Sequence, residues 1–243
     1  MPAETLILIA GCFVAAIASG MAGFSFNLIA AGILYHWLPP QQLAPVVVIA
    51  SLLIQSFTIG VVWRVIRWQA IRPYVIGGVV GTPIGTFILG HADARYIVAG
   101  VGMLLVIYAG FALARIALRR APTAIRAPAG ADLGVGFAGG VLGGIGGFSG
   151  ALPVMWGDLK GLRKDEARAI FQPFIIAMQV VAAATLFAGG FFTRESGMML
   201  LTALPALALG TWLGLRAYKV IPAEGFRVVL LALLLLSGLS LVL

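Results

Sequence analysis

A single cysteine, Cys12, stands in the 243 residues, so an intrachain disulfide and a cysteine-rich metal site are both excluded. Charge is scarce as well. Asp, Glu, Lys and Arg make up 10% of the chain, against roughly 25% in ordinary soluble domains. Acid is scarcer than base. All eight carboxylates (Glu4, Asp93, Asp132, Asp158, Asp165, Glu166, Glu195 and Glu224) fall at or near expected loops or helix ends, and none lies in the middle of an apolar stretch. A proton relay through a buried carboxylate is therefore not expected. The two histidines, His36 and His91, also sit at segment ends. A metal-dependent membrane enzyme lacks its ligand cluster, and a nucleophilic hydrolase lacks a base beside its serine. The expectation is a protein that is not an enzyme, with no catalytic residue, no metal and no cofactor.

Apolar residues are abundant: 61% of the chain is hydrophobic. A fold of this length could not cover itself with so little charge in water, which makes the chain a polytopic membrane protein. The net charge of +8 does not point to nucleic acid, because the basic residues lie between apolar spans and form no face of their own. Residues 5–19 resemble a signal sequence in hydrophobicity, but only Glu4 precedes them and no basic segment does, so cleavage is not expected.

Eight apolar spans follow, at about 5–35, 43–63, 73–90, 96–114, 133–156, 170–190, 197–215 and 228–243. Most are long enough for a hydrocarbon core of ~30 Å, which takes ~20 helical residues. The first and fifth are each split by glycine-rich sequence. Gly20-Met21-Ala22-Gly23-Phe24-Ser25 recurs as Gly144-Ile145-Gly146-Gly147-Phe148-Ser149, a shift of 124 residues. At the same shift Phe13 matches Phe137 and Gln55 matches Gln179, and after a one-residue slip Gly85-Thr86 matches Gly210-Thr211. A basic, proline-containing stretch divides the copies. The expected organisation is a first repeat over 1–118, a cytoplasmic linker over 119–131 and a second repeat over 132–243.

Charge chooses the topology. If all eight spans cross, the sixteen basic residues divide eight and eight between the two sides. If spans 1 and 5 are re-entrant, only Arg95 and Arg194 fall on one side and the other fourteen fall opposite. Bacterial membrane proteins bias Lys and Arg to the cytoplasm, so the second arrangement is expected. Each half then has three crossings, an odd number, and the halves are inverted. The fold class expected is all-α and polytopic, with two inverted repeats, each a re-entrant or broken helix plus three transmembrane helices. Both termini would face the periplasm.

Two broken segments entering from opposite faces would meet near the midplane, a recurrent site for substrate in transporters. The N-terminus of a second half-helix presents N–H donors and the positive end of a dipole. Glycines allow close approach, and Ser25 and Ser149 add hydroxyls. Asn27 adds an amide in the first copy only, Ala151 standing at the second. The expected substrate-binding set is Gly20, Gly23, Phe24, Ser25, Asn27 and Gln55, with Gly144, Gly147, Phe148, Ser149 and Gln179. Ser51, Ser56, Thr58, Thr82, Thr86, Gln172 and Thr211 are further polar residues within spans, where back-bonding to a helical carbonyl is the default for Ser and Thr. Glycine stripes also pack helices closely, which is the competing reading of the two motifs. Tyr35, Tyr74, Tyr96, Trp37, Trp63, Trp68 and Trp156 lie near segment ends and read as an interfacial belt.

The paired GMAGFS and GIGGFS breaks, the LRKDEARA segment at 162–169, the basic linker and the eight-segment layout make the chain resemble the TauE/SafE sulfite exporter family, also known as the 4-toluene sulfonate uptake permeases. The resemblance implies transport of sulfite, organosulfonates or related sulfur oxyanions across the bacterial inner membrane, in either direction. The expected partners are a small anion and membrane lipid, with a homodimer left open. A channel-like anion uniporter and a membrane assembly module that uses its glycines only for packing are the alternatives.

Overall fold

The computed structural model of the chain describes residues 3–22, 25–61, 63–118, 127–128, 130–220 and 223–243. It is all-helical, with no strand among the described residues. In chain order the helices are α1 (Ala3–Ala22), α2 (Phe26–Leu34), α3 (Pro40–Thr58), α4 (Trp68–His91), α5 (Ala94–Ala117), α6 (Ala131–Gly146), α7 (Ala151–Leu159), α8 (Lys164–Ala188), α9 (Arg194–Val220) and α10 (Ala223–Val242). Two 3₁₀ turns, Ile59–Val61 and Trp63–Val65, lead from α3 to α4. Among the described residues, six helices (α1, α3, α4, α5, α8 and α9) are long and apolar enough to cross a membrane. Their exposed residues, among them Phe57, Ile76, Val80, Phe87, Met103 and Leu201, are those a lipid-facing surface requires. The linker expected at 119–131 lies largely outside the described residues.

Local chemistry sets the helix starts. Pro39 and Pro40 open α3, where a missing N–H costs nothing. Asp93 caps α5 by accepting from the Arg95 N–H at 3.0 Å. Before α9, Thr193 and Ser196 bond reciprocally, each hydroxyl accepting the other's N–H at 3.1 and 3.0 Å.

The first and fifth apolar segments are each two helices folded into a hairpin. Gly11 of α1 faces Ile33 and Leu34 at the far end of α2, and Gly139 of α6 faces Pro153 of α7. The glycine-rich sequence that splits the first span begins at Gly20, but the first helix does not end there. It continues through Gly20 to Ala22, and its 20 residues rise about 30 Å. Gly20 fails to break it because its open side is filled by a neighbouring helix: a Cβ there would lie 2.9 Å from the Thr211 carbonyl oxygen of α9.

Glycine-lined seams join the bundle. Helices α4 and α6 run parallel, with Gly77, Gly81 and Gly85 against the backbone at Leu133, Phe137 and Val141, and with Gly136, Gly140 and Gly144 against Tyr74, Gly78 and Thr82. Helices α1 and α9 run parallel in the same way through Gly20, Gly210 and Gly214. Backbones meet without intervening side chains, which is how helices associate where the surroundings are as apolar as leucine. Helices α5 and α10 pack antiparallel, Gly102 lying against Gly238 and Leu241. Helices α3 and α8 also meet antiparallel, Gln55 near Gln172 and Ser51 near Gln179.

Candidate substrate site at the hairpin tips

The second hairpin turns at Gly147. Its φ of +78° is left-handed, a conformation that favours glycine. The turn closes the end of α6: Gly147 N–H donates to the Gly143 carbonyl at 2.7 Å, and Phe148 N–H to the Leu142 carbonyl at 3.2 Å. Closing α6 this way turns the carbonyl of Gly147 inward.

Two side chains from distant elements meet at that carbonyl. Asn27, in the first turn of α2, donates from Nδ2 at 2.6 Å, and Gln179 of α8 donates from Nε2 at 3.2 Å. Gln179 Nε2 also donates to Ser51 Oγ of α3 at 3.1 Å. Asn27, Ser51 and Gln179 are each no more than 3% exposed. The start of the short helix of one hairpin is thereby tied to the turn of the other, 120 residues away. The space beside Gly147 is fully used, since a Cβ there would overlap the Asn27 amide.

Hydroxyls surround this knot. Ser25 is the N-cap residue of α2, but its side chain makes no capping bond. Ser149 lies against Gly143 of α6. Tyr35, at the end of α2, brings its hydroxyl to Gly146, where a Cβ would lie 2.8 Å from it, and its ring meets Phe148 edge-on with centroids 6.4 Å apart. The hydroxyls of Ser25, Ser149 and Tyr35 are buried and have no hydrogen-bond partner among the described residues. Ser19 and Thr211 present two more such hydroxyls where α1 packs on α9.

Not every expected residue belongs to this group. Gly20 and Gly144 are packing residues, Gly20 against α9 and Gly144 against Thr82 and Thr86 of α4. Gly23 and Phe24 lie outside the described residues. Phe148 is buried and shapes the turn through Tyr35. Gln55 forms a second polar group instead. Gln172 Nε2 donates to Thr58 Oγ1 at 2.8 Å and to Gln55 Oε1 at 3.4 Å, while Arg168 Nε donates to Gln172 Oε1 at 3.0 Å. Ser51 and Gln55 are one turn apart on α3. The two groups therefore form one buried polar seam from Gly147 through Gln179, Ser51, Gln55 and Gln172 to Arg168. Thr82 and Thr86 do back-bond to the carbonyls of Gly78 and Thr82, at 2.8 and 3.3 Å.

The aromatic reading divides. Trp37, Trp63, Trp68 and Tyr96 are exposed, as a belt requires, but Tyr35 and Tyr74 are buried. Tyr74 O–H and Trp156 Nε1–H both donate to Asp132 Oδ1 at 2.7 Å, and Lys160 Nζ pairs with Asp132 Oδ2 at 3.0 Å. This cluster clamps the base of the second hairpin to α4. Burial alone would raise the Asp132 pKa, but the bonds from Tyr74, Trp156 and Lys160, with the Lys160 charge, outweigh it and hold the carboxyl below its usual range.

The family model for the sulfite exporter TauE/SafE matches residues 7–241. The chain belongs to the sulfite exporter TauE/SafE family. It is also 30% identical, over 193 residues covering 75% of each chain, to a protein of Comamonas testosteroni named "Probable inner membrane transporter protein TsaS". No solved structure gives a significant match. As a TauE/SafE member the chain is a multi-pass membrane transporter. The hydroxyls of Ser25, Ser149 and Tyr35 and the amides of Asn27 and Gln179 make up the candidate site at the hairpin tips.

Proposed function

We propose that this chain carries a small sulfur oxyanion across the bacterial inner membrane, and that the anion sits where the two hairpin tips meet. The observation that carries the reading is the convergence of Asn27 and Gln179 on the Gly147 carbonyl, beside the unpartnered hydroxyls of Ser25, Ser149 and Tyr35. Hydroxyl donors in a water-poor site are the groups an oxyanion needs, and a buried hydroxyl left unpaired costs about 1–3 kcal/mol until a ligand meets it. The sulfur chemistry follows from the family and from its name.

Alternating access between two inverted halves is the proposed mechanism. The helix pairing supports it. Exchanging α1–α5 with α6–α10 maps the α1/α9 seam onto the α4/α6 seam. The same exchange maps α3/α8 and α5/α10 onto themselves, and both of those pairs are antiparallel, as a two-fold axis across the helices demands. Read with the charge distribution, the proposed arrangement has the linker in the cytoplasm and both termini in the periplasm. The seam ending at Arg168 is the proposed path between the tips and the cytoplasmic side.

Flux of sulfite or a sulfonate into liposomes tests the site. The Ser25→Ala/Ser149→Ala double variant is expected to lose about tenfold in flux, equivalent to ~1.4 kcal/mol of transition-state stabilisation. Undiminished flux would remove these hydroxyls from the mechanism.

A further inference from the structure

We infer that the tip site selects a protonated monoanion, such as hydrogensulfite, over the fully deprotonated dianion. The inference rests on the reading above that the tips hold a sulfur oxyanion.

Two amides carry it by their orientation. A carbonyl oxygen only accepts, so Asn27 and Gln179 must turn their nitrogens toward Gly147 O. Their own oxygens are left over. Asn27 Oδ1 and Gln179 Oε1 are both buried and receive no donor among the described residues. The site therefore offers two kinds of group. The hydroxyls of Ser25, Ser149 and Tyr35 can donate to an oxyanion. The two amide oxygens can only accept. An oxyanion that carries no proton satisfies the hydroxyls and sets its lone pairs against those of the amides. An oxyanion that keeps one O–H satisfies both, accepting from a hydroxyl and donating to an amide oxygen.

Charge leads to the same choice. The groups gathered at Gly147 are all neutral. Arg168, at the other end of the polar seam, precedes Gln179 by eleven residues of α8, about 16 Å along the axis. The desolvation cost of an ion rises with the square of its charge, so a dianion costs about four times as much as a monoanion at a site of low dielectric. Neutral hydroxyls can offset the smaller cost but not the larger. A sulfonate, monoanionic but without an O–H, would bind and leave the amide oxygens unpaired.

The test is equilibrium binding to the purified full-length protein, without a gradient, over a pH series crossing the ionisation of hydrogensulfite. Sulfite is one probe. Methanesulfonate, which is a monoanion throughout, is the other. The Kd for total sulfite is expected to rise about tenfold per pH unit on the alkaline side, following the loss of the protonated form, while the Kd for methanesulfonate stays level. In Gln179→Leu, which keeps the hydroxyls and removes one acceptor, the preference for hydrogensulfite over methanesulfonate should narrow. A sulfite Kd that is flat or falls with rising pH overturns the inference, as does sulfite binding that requires sodium, which would assign the amide oxygens to a cation. Methanesulfonate and sulfite binding equally well at every pH would overturn the protonation inference alone. Failure of both anions to bind and to cross a liposome membrane would overturn the transport reading beneath it.

Discussion

The two hairpins began as copies of one motif and contribute different things. The second supplies backbone: Gly147 turns left-handed, closes α6 and aims its carbonyl inward. The first supplies a side chain, Asn27, which fills the space beside that glycine. Their bases differ as well. The second hairpin is clamped by Asp132 with Lys160, Tyr74 and Trp156. The first is held to α10 by hydrogen bonds that involve no carboxylate, His36 to Ser240 Oγ at 2.7 Å and Ser237 to the Gly32 carbonyl. In the proposed site a repeated sequence thus divides the labour, with one copy shaping the backbone and the other filling the space beside it.

The largest effect should come from Gly147→Ala. The left-handed backbone costs an alanine roughly 1–2 kcal/mol before any clash, and the new Cβ would also displace Asn27. Flux should fall by more than about tenfold and the melting temperature should drop. Gly134→Ala, where a Cβ meets nothing within 4 Å, should change neither. Equal effects at the two positions would end the distinction between a turn glycine and an ordinary one.

Next in size, Asn27→Ala should cost about 1–3 kcal/mol of stability and much of the flux, because it strips a donor from a buried carbonyl. Adding Ala151→Asn should not restore flux if the halves are specialised. Rescue would show that either copy can supply the amide.

Asp132→Asn should lower the melting temperature more than His36→Ala does, since only the first change removes an ion pair. The sign with pH follows from the depressed Asp132 pKa. A carboxyl whose folded pKa lies below its unfolded value contributes stability that is complete above the usual aspartate range, about 3.9, and is lost as pH falls through the folded value. Thermal melts of the wild type should therefore weaken on the acid side, and Asp132→Asn should flatten that slope. The smallest effect is expected from Gln172→Leu. It breaks the seam away from the tips and should slow flux severalfold with little change in substrate affinity at the tips.

The hairpins were legible because the same Gly-x-x-Gly-Phe-Ser sequence splits two apolar runs at matching positions. The role of each glycine was not. Gly20, Gly144 and Gly147 look alike in a motif, and what separates them is the helix opposite: α9 for the first, α4 for the second, and for the third the Asn27 amide. Gln55 and Gln179 occupy matched positions, yet Gln179 reaches Gly147 while Gln55 meets Gln172. Partners more than a hundred residues away made that choice, and no local pattern records them. Tyr35 was hidden for the opposite reason. A tyrosine at a segment end has an interfacial role ready to hand, and only the fold of α2 against the second tip brings its hydroxyl inside.

The central claim is that both hairpins hold one anion between their tips. Crystals of the protein grown with selenite, a heavier analogue of sulfite, would test it through the anomalous signal of selenium. The account predicts a peak whose oxygens lie within hydrogen-bond reach, about 3 Å, of groups on both hairpins, among them the Ser149 hydroxyl and the Asn27 amide. A peak bound by one hairpin alone, or one seated at Arg168 with the tips empty, would contradict it.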